Sequence, residues 1–186
     1  MSLLSHLSTI ITISKSLKTE IMSIAKNISV AKGEVLVSNN ERCKNLYFID
    51  KGLVRGFYYD DGKEITHWFA QEEDFATSFY SFITGKPSPE SIETLEDCEL
   101  TQISFDDLQK LYTKFPETER IGRIITETYY INLEERFLNI QFKSAKERYQ
   151  TLITKNPSIV QRASLGQIAT YLGITQETLS RVRAEK

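Results

Sequence analysis

Between Ile28 and Ile103 the chain is a series of short runs rich in β-branched and aromatic residues, each closed by a turn signal, and that pattern admits few folds. The runs are Val35-Leu36-Val37, Leu46 to Ile49, Leu53 to Tyr59 and Ile65 to Phe69. Lys32-Gly33, Asp50-Lys51-Gly52 and Asp60-Asp61-Gly62 punctuate them, and a further pair, Ser91 to Leu95 and Glu99 to Ile103, flanks the acidic turn Glu96-Asp97. Short strands with turns at this spacing predict an antiparallel barrel or jelly roll. Asp74 to Pro89 interrupts the series with Phe75, Phe79, Tyr80, Phe82 and Ile83 and ends in Gly85-Lys86-Pro87, so a short helix and loop insert there. Those aromatics read as core before they read as a cofactor box.

The flanks switch to helical periodicity, which makes the fold class α+β. Residues 1 to 27 predict short helices, with Leu17, Ile21, Ile24 and Ala25 at helical spacing and the turn opening over Lys18 to Glu20. Phe105 to Tyr112 reads as a helix stopped near Phe115-Pro116. A long helix follows from Glu117 to Phe142, with no proline and no glycine after Gly122. Within it Ile121, Ile124, Thr128, Ile131, Glu135, Leu138 and Phe142 step alternately by three and four, a heptad seam with five apolar positions of seven. Ile125, Leu133, Phe137 and Ile140 lie on other faces. A helix apolar on two sides has two partners: its own barrel and, along the seam, a parallel second copy. Packing on the barrel alone is the alternative. The expected units are residues 1–115, 116–143 and 144–186.

Charge divides the same way. The formal net charge is −2, but Lys143 to Lys186 holds 8 Lys/Arg against 3 acids, a net of +5, leaving −7 for the preceding residues. A basic C-terminal unit could attract phosphates or could be a solvated basic face. Cys43 and Cys98 lack CxxC spacing, which argues against a zinc site or iron–sulfur cluster and fits buried thiols in a reducing cytoplasm. The N-terminus offers no secretory signal, and no apolar run approaches the ~18 residues that span a bilayer, so no membrane partner is expected. No nucleophile–base pair, carboxylate pair, glycine-rich phosphate loop or metal-ligand spacing points to an enzyme.

The chemistry-bearing stretch is Ala163 to Arg183, two short helices folded against each other. Ser164 can cap the first, Ile168 and Leu172 bury its inner face, and Ala169 permits close approach of the second. Gly173 supplies the left-handed turn, Thr175 caps the second helix, and Gln176-Glu177-Thr178 forms a first turn like a capping box. Leu179 and Val182 return to the core. Gln176, Glu177, Ser180 and Arg181 then project outward. In a major groove Arg can donate twice to guanine and Glu can accept from cytosine; at i and i+4 the two could also pair with each other. With both caps, the basic surroundings and the long helix, the stretch reads as a helix-turn-helix that binds double-stranded DNA.

Over essentially its full length the chain resembles the Crp/Fnr (cyclic-AMP receptor protein-like) family of bacterial transcription regulators. Lys32-Gly33-Glu34-Val35-Leu36, Leu46 to Gly52, Asp60-Asp61-Gly62-Lys63 and Leu95 to Leu100 look like that family's cyclic-nucleotide-binding β-roll. Glu177-Thr178-Leu179-Ser180-Arg181 looks like its recognition helix. The resemblance implies that Glu177 and Arg181 read a TGA core, that Ser180 points to a TTGA-type half-site, and that Ser164 and Thr175, with Arg183, contact phosphates. Gln176 departs from the Arg of the cyclic-AMP branch, which leaves the outer base open. A homodimer on a palindrome is implied; RNA polymerase and an unidentified small-molecule effector are candidate further partners. The chain stops straight after the recognition helix where many relatives continue into a wing. That shortening lends some weight to a second reading, a ligand-sensing roll that acts through protein–protein contacts with a weak or vestigial DNA head.

The sensor lacks what cyclic AMP requires. Relatives that bind it carry Gly-Glu for the ribose and Arg-Ser for the phosphate. The matching stretches here are Asp74 to Ser78 and Ser88 to Ser91, with no Arg from 74 to 92 and with Glu90 where a cation is needed. Phe75, Phe79, Tyr80 and Phe82, with Lys86 nearby, are the candidate effector pocket. Fnr-type iron–sulfur sensing needs an N-terminal cysteine cluster that is absent, and His6 and His67 are the only histidines available for haem.

Overall fold

The computed structural model describes residues 2–185. Two short helices, α1 (Leu3–Leu7) and α2 (Lys15–Ile24), open the chain. The second begins earlier than Lys18, because the Ser14 hydroxyl accepts from the Leu17 N–H at 3.1 Å and sets the first turn there. The strands are β1 (Lys26–Val30), β2 (Val35–Val37), β3 (Asn45–Lys51), β4 (Val54–Asp60), β5 (Lys63–Ala70), β6 (Phe75–Ala76), β7 (Ser91–Thr94) and β8 (Cys98–Ser104), with α3 (Phe79–Thr84) between β6 and β7. They form two four-stranded antiparallel sheets, ordered β1-β8-β3-β6 and β2-β7-β4-β5, the jelly roll expected from the turn spacing. Two strands lie outside the expected runs. β1 is an edge strand with only Ile28 and Val30 apolar, and β6 has two residues inside the stretch read as helix and loop.

The inward faces of both sheets bury Ile49, Val54, Ile92 and Leu100 in one core. A second cluster joins α1 and α2 to the roll through Leu17, Ile21 and Phe48, and to α4 (Phe105–Lys114) and α5 (Glu117–Phe142) through Leu111 and Ile121. Both cysteines are free and buried. No helix among the described residues is long and apolar enough to cross a membrane.

The long helix α5 has the expected bounds, but its faces are shared out differently. Ile121 is buried in the chain's own second core and Ile125 packs beside it, whereas Ile131, Leu138 and Phe142 of the seam are exposed. Leu133, Phe137 and Ile140, expected to pack partly on the barrel, are exposed as well, with Tyr130. The reason is geometric: the apolar core around the roll takes in Ile121 and Ile125, whereas past Tyr129 the roll is met by the polar Arg136, whose Nη2 lies 3.5 Å from Thr66 O. Thr128 Oγ1 donates to its own helix at Ile124 O, and Glu135 accepts from Lys155 Nζ at 2.6 Å. Four helices complete the chain: α6 (Ala145–Lys155), α7 (Pro157–Arg162), α8 (Leu165–Tyr171) and α9 (Gln176–Ala184).

Candidate nucleic-acid interface and the clefts beside it

Caps decide where the last two helices start. The Gln167 N–H donates to Ser164 Oγ at 3.3 Å while Gln167 Oε1 accepts from the Ser164 N–H at 2.9 Å, a complete capping box on α8. On α9 the Thr178 N–H donates to Thr175 Oγ1 at 3.2 Å. The third helical residue there is Thr178, too short to return to the Thr175 N–H, so the expected box is a single cap. Between the helices Gly173 has φ 65°, a left-handed turn a Cβ would strain, and the Ile174 N–H reaches Ala169 O at 3.0 Å. Ile168, Ala169, Leu172 and Leu179 are buried on the inner faces, and Tyr149 and Leu152 of α6 close that core.

This packing turns Gln176, Glu177, Ser180 and Arg181 to solvent together, with Arg183 one turn on and Ser164 and Thr175 exposed at the two caps. Arg181 Nη2 donates to Thr178 Oγ1 at 3.3 Å, so its orientation does not depend on a bond to Glu177. The Glu177 carboxyl is held below its ordinary value, chiefly by its own N–H, then by the Thr175 hydroxyl, with Arg181 adding to both. A carboxylate and a guanidinium therefore stand side by side, exposed and not bonded to each other, in the first turns of the helix, an arrangement that can accept from one base edge and donate to another.

Much of the basic charge counted in the C-terminal unit is spent internally. Arg162 lies on the roll, where Nη1 and Nη2 donate to the two Glu72 oxygens, both at 2.9 Å, and Nη2 and Nε donate to Glu96 at 2.6 and 3.2 Å. Lys155 pairs with Glu135, and Lys146 with Glu185. The Arg162 bonds belong to a wider dock. The Thr66 N–H donates to Thr170 Oγ1 at 3.1 Å, Phe69 and Tyr171 rings meet at 5.1 Å, and Leu53 and Leu95 of the roll share the head's core. Sequence inspection missed this role for Arg162; the acidic turn at Glu96 was the available signal.

The five residues proposed as an effector pocket do not converge. Phe82 is in the roll's core, Tyr80 and Lys86 are exposed, and only Phe75 and Phe79 face a shared cleft. Where a cyclic nucleotide's phosphate would be expected, Ser78, Ser88 and Glu90 are buried and bonded to one another's surroundings. Ser88 Oγ donates to Ser78 Oγ at 2.9 Å, and Trp68 Nε1 donates to Glu90 Oε2 at 2.8 Å. Burial raises the Glu90 pKa. Phe79 stacks on Tyr129 of α5 at 4.1 Å. His67 lies against Tyr58 at 5.0 Å and burial lowers its pKa to about 4, which keeps it neutral.

Gly56 holds this filled site in shape: a Cβ there would lie 2.3 to 2.6 Å from three atoms of the Trp68 indole. Gly56→Ala should therefore displace Trp68, break its bond to Glu90 and cost about 2 kcal/mol as an overpacking change. Trp68 is the only tryptophan, so a red-shifted emission with a lowered denaturation midpoint is the expected result, and unchanged emission would count against the contact.

Residues 27–115 match the family model of the Cyclic nucleotide-binding domain. The chain is 26% identical over 172 residues to a Fumarate and nitrate reduction regulatory protein of Yersinia pestis, covering 86% of this chain and 68% of the relative. It is 27% identical over 165 residues to the Transcriptional activator protein Anr of Pseudomonas protegens, covering 81% of this chain and 66% of the relative. In fold it is similar to the solved structure of FixK2 from Bradyrhizobium japonicum, with a TM-score of 0.76 at 22% identity, covering 87% and 84% of the two chains. These relatives are named as regulators and not as enzymes.

Proposed function

We propose that this chain, which belongs with the Crp/Fnr-type transcription regulators, acts as a homodimer that reads a palindromic DNA site of TTGA- or TGA-type half-sites in response to a signal other than cyclic AMP. The observation that carries it is the exposed row Gln176, Glu177, Ser180 and Arg181 on a capped helix whose opposite face packs inward through buried Leu179 and partly buried Val182. Arg181 donates to guanine, Glu177 accepts from a cytosine amino group, and Ser180 and Gln176 flank them. Ser164, Thr175 and Arg183 sit where phosphates would pass along the two helix N-termini and the helix side. The dimer forms along α5, whose exposed Ile131, Leu138 and Phe142 continue the heptad stepping beyond the roll. The working units are 1–115 as sensor, 116–143 as dimerisation helix and 144–186 as reading head, in a cytoplasmic protein that meets RNA polymerase at its promoters. Glu90 in place of a cation, and the Phe79–Tyr129 stack, support an effector other than cyclic AMP.

A gel shift with a palindrome of two TTGA-type half-sites tests the reading. Glu177→Ala and Arg181→Ala should each weaken binding about 10- to 100-fold and relax base preference at one position, since a bidentate base contact is worth about 1 to 3 kcal/mol. Equal binding by both variants and the native chain would remove these residues from the interface.

A further inference from the structure

The cleft that Phe75 and Phe79 face, of about 770 Å³, runs between the roll, the middle of α5 and the head. Its lining combines apolar Phe79, Ile124 and Leu133 with His67, Arg136 and Arg148, and the carboxylates of Glu73, Asp74 and Glu135 also border it. Two features of the arginines are unusual. Among the described residues, the buried side-chain polar atoms without a hydrogen-bond partner are Arg136 Nε and Arg148 Nε, and both arginines line this one cleft. Neither arginine has a carboxylate partner among the described ion pairs. Arg136 Nη2 donates to Tyr171 O at 3.0 Å and Thr66 O at 3.5 Å, Arg148 Nη1 donates to Ile140 O at 3.2 Å, and carbonyls supply no counter-charge. Glu135, the adjacent acid on α5, is taken by Lys155, and His67 is neutral.

A half-buried guanidinium without a counter-ion is costly unless an anion completes it. Arginine is also the side chain whose planar fork matches a carboxylate or a phosphate. We propose that this cleft is a binding site for a small organic anion with an apolar body, its carboxylate or phosphate held by Arg136 and Arg148 and its body by Phe79, Ile124 and Leu133. The cleft reaches Trp68 and Phe75 of the roll, but the arginines that would hold the anion come from α5 and α6 rather than from the buried Ser78–Ser88–Glu90 cluster. Arg136 already bonds the roll at Thr66 and the head at Tyr171, and its guanidinium lies 5.0 Å over the Tyr171 ring. An anion drawn to it therefore acts at the joint between sensor and head. That consequence rests on the DNA-binding reading; the site itself does not.

Trp68 lines the cleft and reports on it without DNA. Its emission is followed at constant ionic strength while the full chain is titrated with benzoate, phenyl phosphate or the neutral benzyl alcohol. A saturable change with benzoate or phenyl phosphate, and none with benzyl alcohol, is expected, and the arm that saturates identifies the anionic group. Arg136→Gln should raise the dissociation constant about tenfold or more and Arg148→Gln severalfold, while Arg123→Gln, on a surface pair with Glu127, changes nothing. Saturation by benzyl alcohol alone, or by none of the three, overturns the proposal, as does equal affinity in the native chain and the Arg148→Gln variant. The Arg148 variant decides the matter if Arg136→Gln fails to fold. A gel shift in the same anion then tests the consequence separately: anion binding without a change in DNA affinity leaves the site standing and removes the coupling.

Discussion

Leu179→Ala is expected to destabilise the reading head by about 3 kcal/mol and to abolish site-specific DNA binding, although Leu179 touches no base in the proposed complex. Leu179 is fully buried, and the core around it is the main contact that orients α9. Helices of seven and nine residues, as α8 and α9 are, have little intrinsic stability in water. Their order comes from the caps and from Ile168, Leu172 and Leu179 meeting Tyr149 and Leu152 of α6. Removing three carbons from the centre of so small a cluster leaves a cavity its neighbours cannot close. Hydrogen exchange should show protection lost across α8 and α9 before the roll. Arg181→Ala makes the comparison, because an exposed substitution changes stability by no more than about 0.5 kcal/mol. Loss of DNA binding with lost protection in one variant, and without it in the other, separates scaffold from contact. Native protection and native affinity in Leu179→Ala would mean that the head is not held together as described.

The same residues show what was legible beforehand. Turn chemistry at Lys32-Gly33, Asp50-Lys51-Gly52 and Asp60-Asp61-Gly62 announced the roll, because those residues act on the backbone locally and need no knowledge of the rest of the chain. The caps at Ser164 and Thr175 and the turn at Gly173 were legible for the same reason. The exposed row on α9 followed from helical periodicity once the buried positions were assigned. What was not legible depends on contacts between residues distant in sequence. Phe82 and Phe79 are three apart and chemically alike, yet one enters the roll's core and the other stacks on Tyr129. The faces of α5 were misjudged because a heptad count cannot say where the roll ends along the helix. A charge count assigns Arg162 to phosphate when it belongs to Glu72 and Glu96, and it cannot single out Arg136, since a guanidinium bonded only to carbonyls is visible only once its surroundings are built.

Arg162→Ala should loosen the head from the roll and remove a stretch of acid sensitivity. The Arg162 guanidinium engages two carboxylates with four N–H···O contacts, and the Gly52 N–H donates a fifth bond to Glu72 at 2.8 Å. Hydrogen bonds from Arg162 and Gly52 outweigh the opposing effect of burial and lower the Glu72 pKa from 4.5 to about 2. A carboxylate depressed in the folded state stabilises it above the unfolded value near 4.5, and that contribution is lost as pH falls through the window down to about 2. A shift of that size implies roughly 3 kcal/mol, but the Glu72 side chain is 39% exposed, and screening reduces this to about 1 to 2. The native chain should therefore lose stability between pH 5 and 2 more steeply than Arg162→Ala, whose curve is lower at neutral pH and flatter in acid. Because Arg162 belongs to α7 and its partners to the roll, the lost energy is inter-unit energy: protease cleavage between α5 and α6 should rise in the variant, while the roll's Trp68 emission stays as in the native chain. Parallel pH curves for the two proteins would show that the pair contributes nothing to the dock, leaving Leu53, Leu95 and Tyr171, with the Thr66–Thr170 and Arg136 hydrogen bonds, to hold the head.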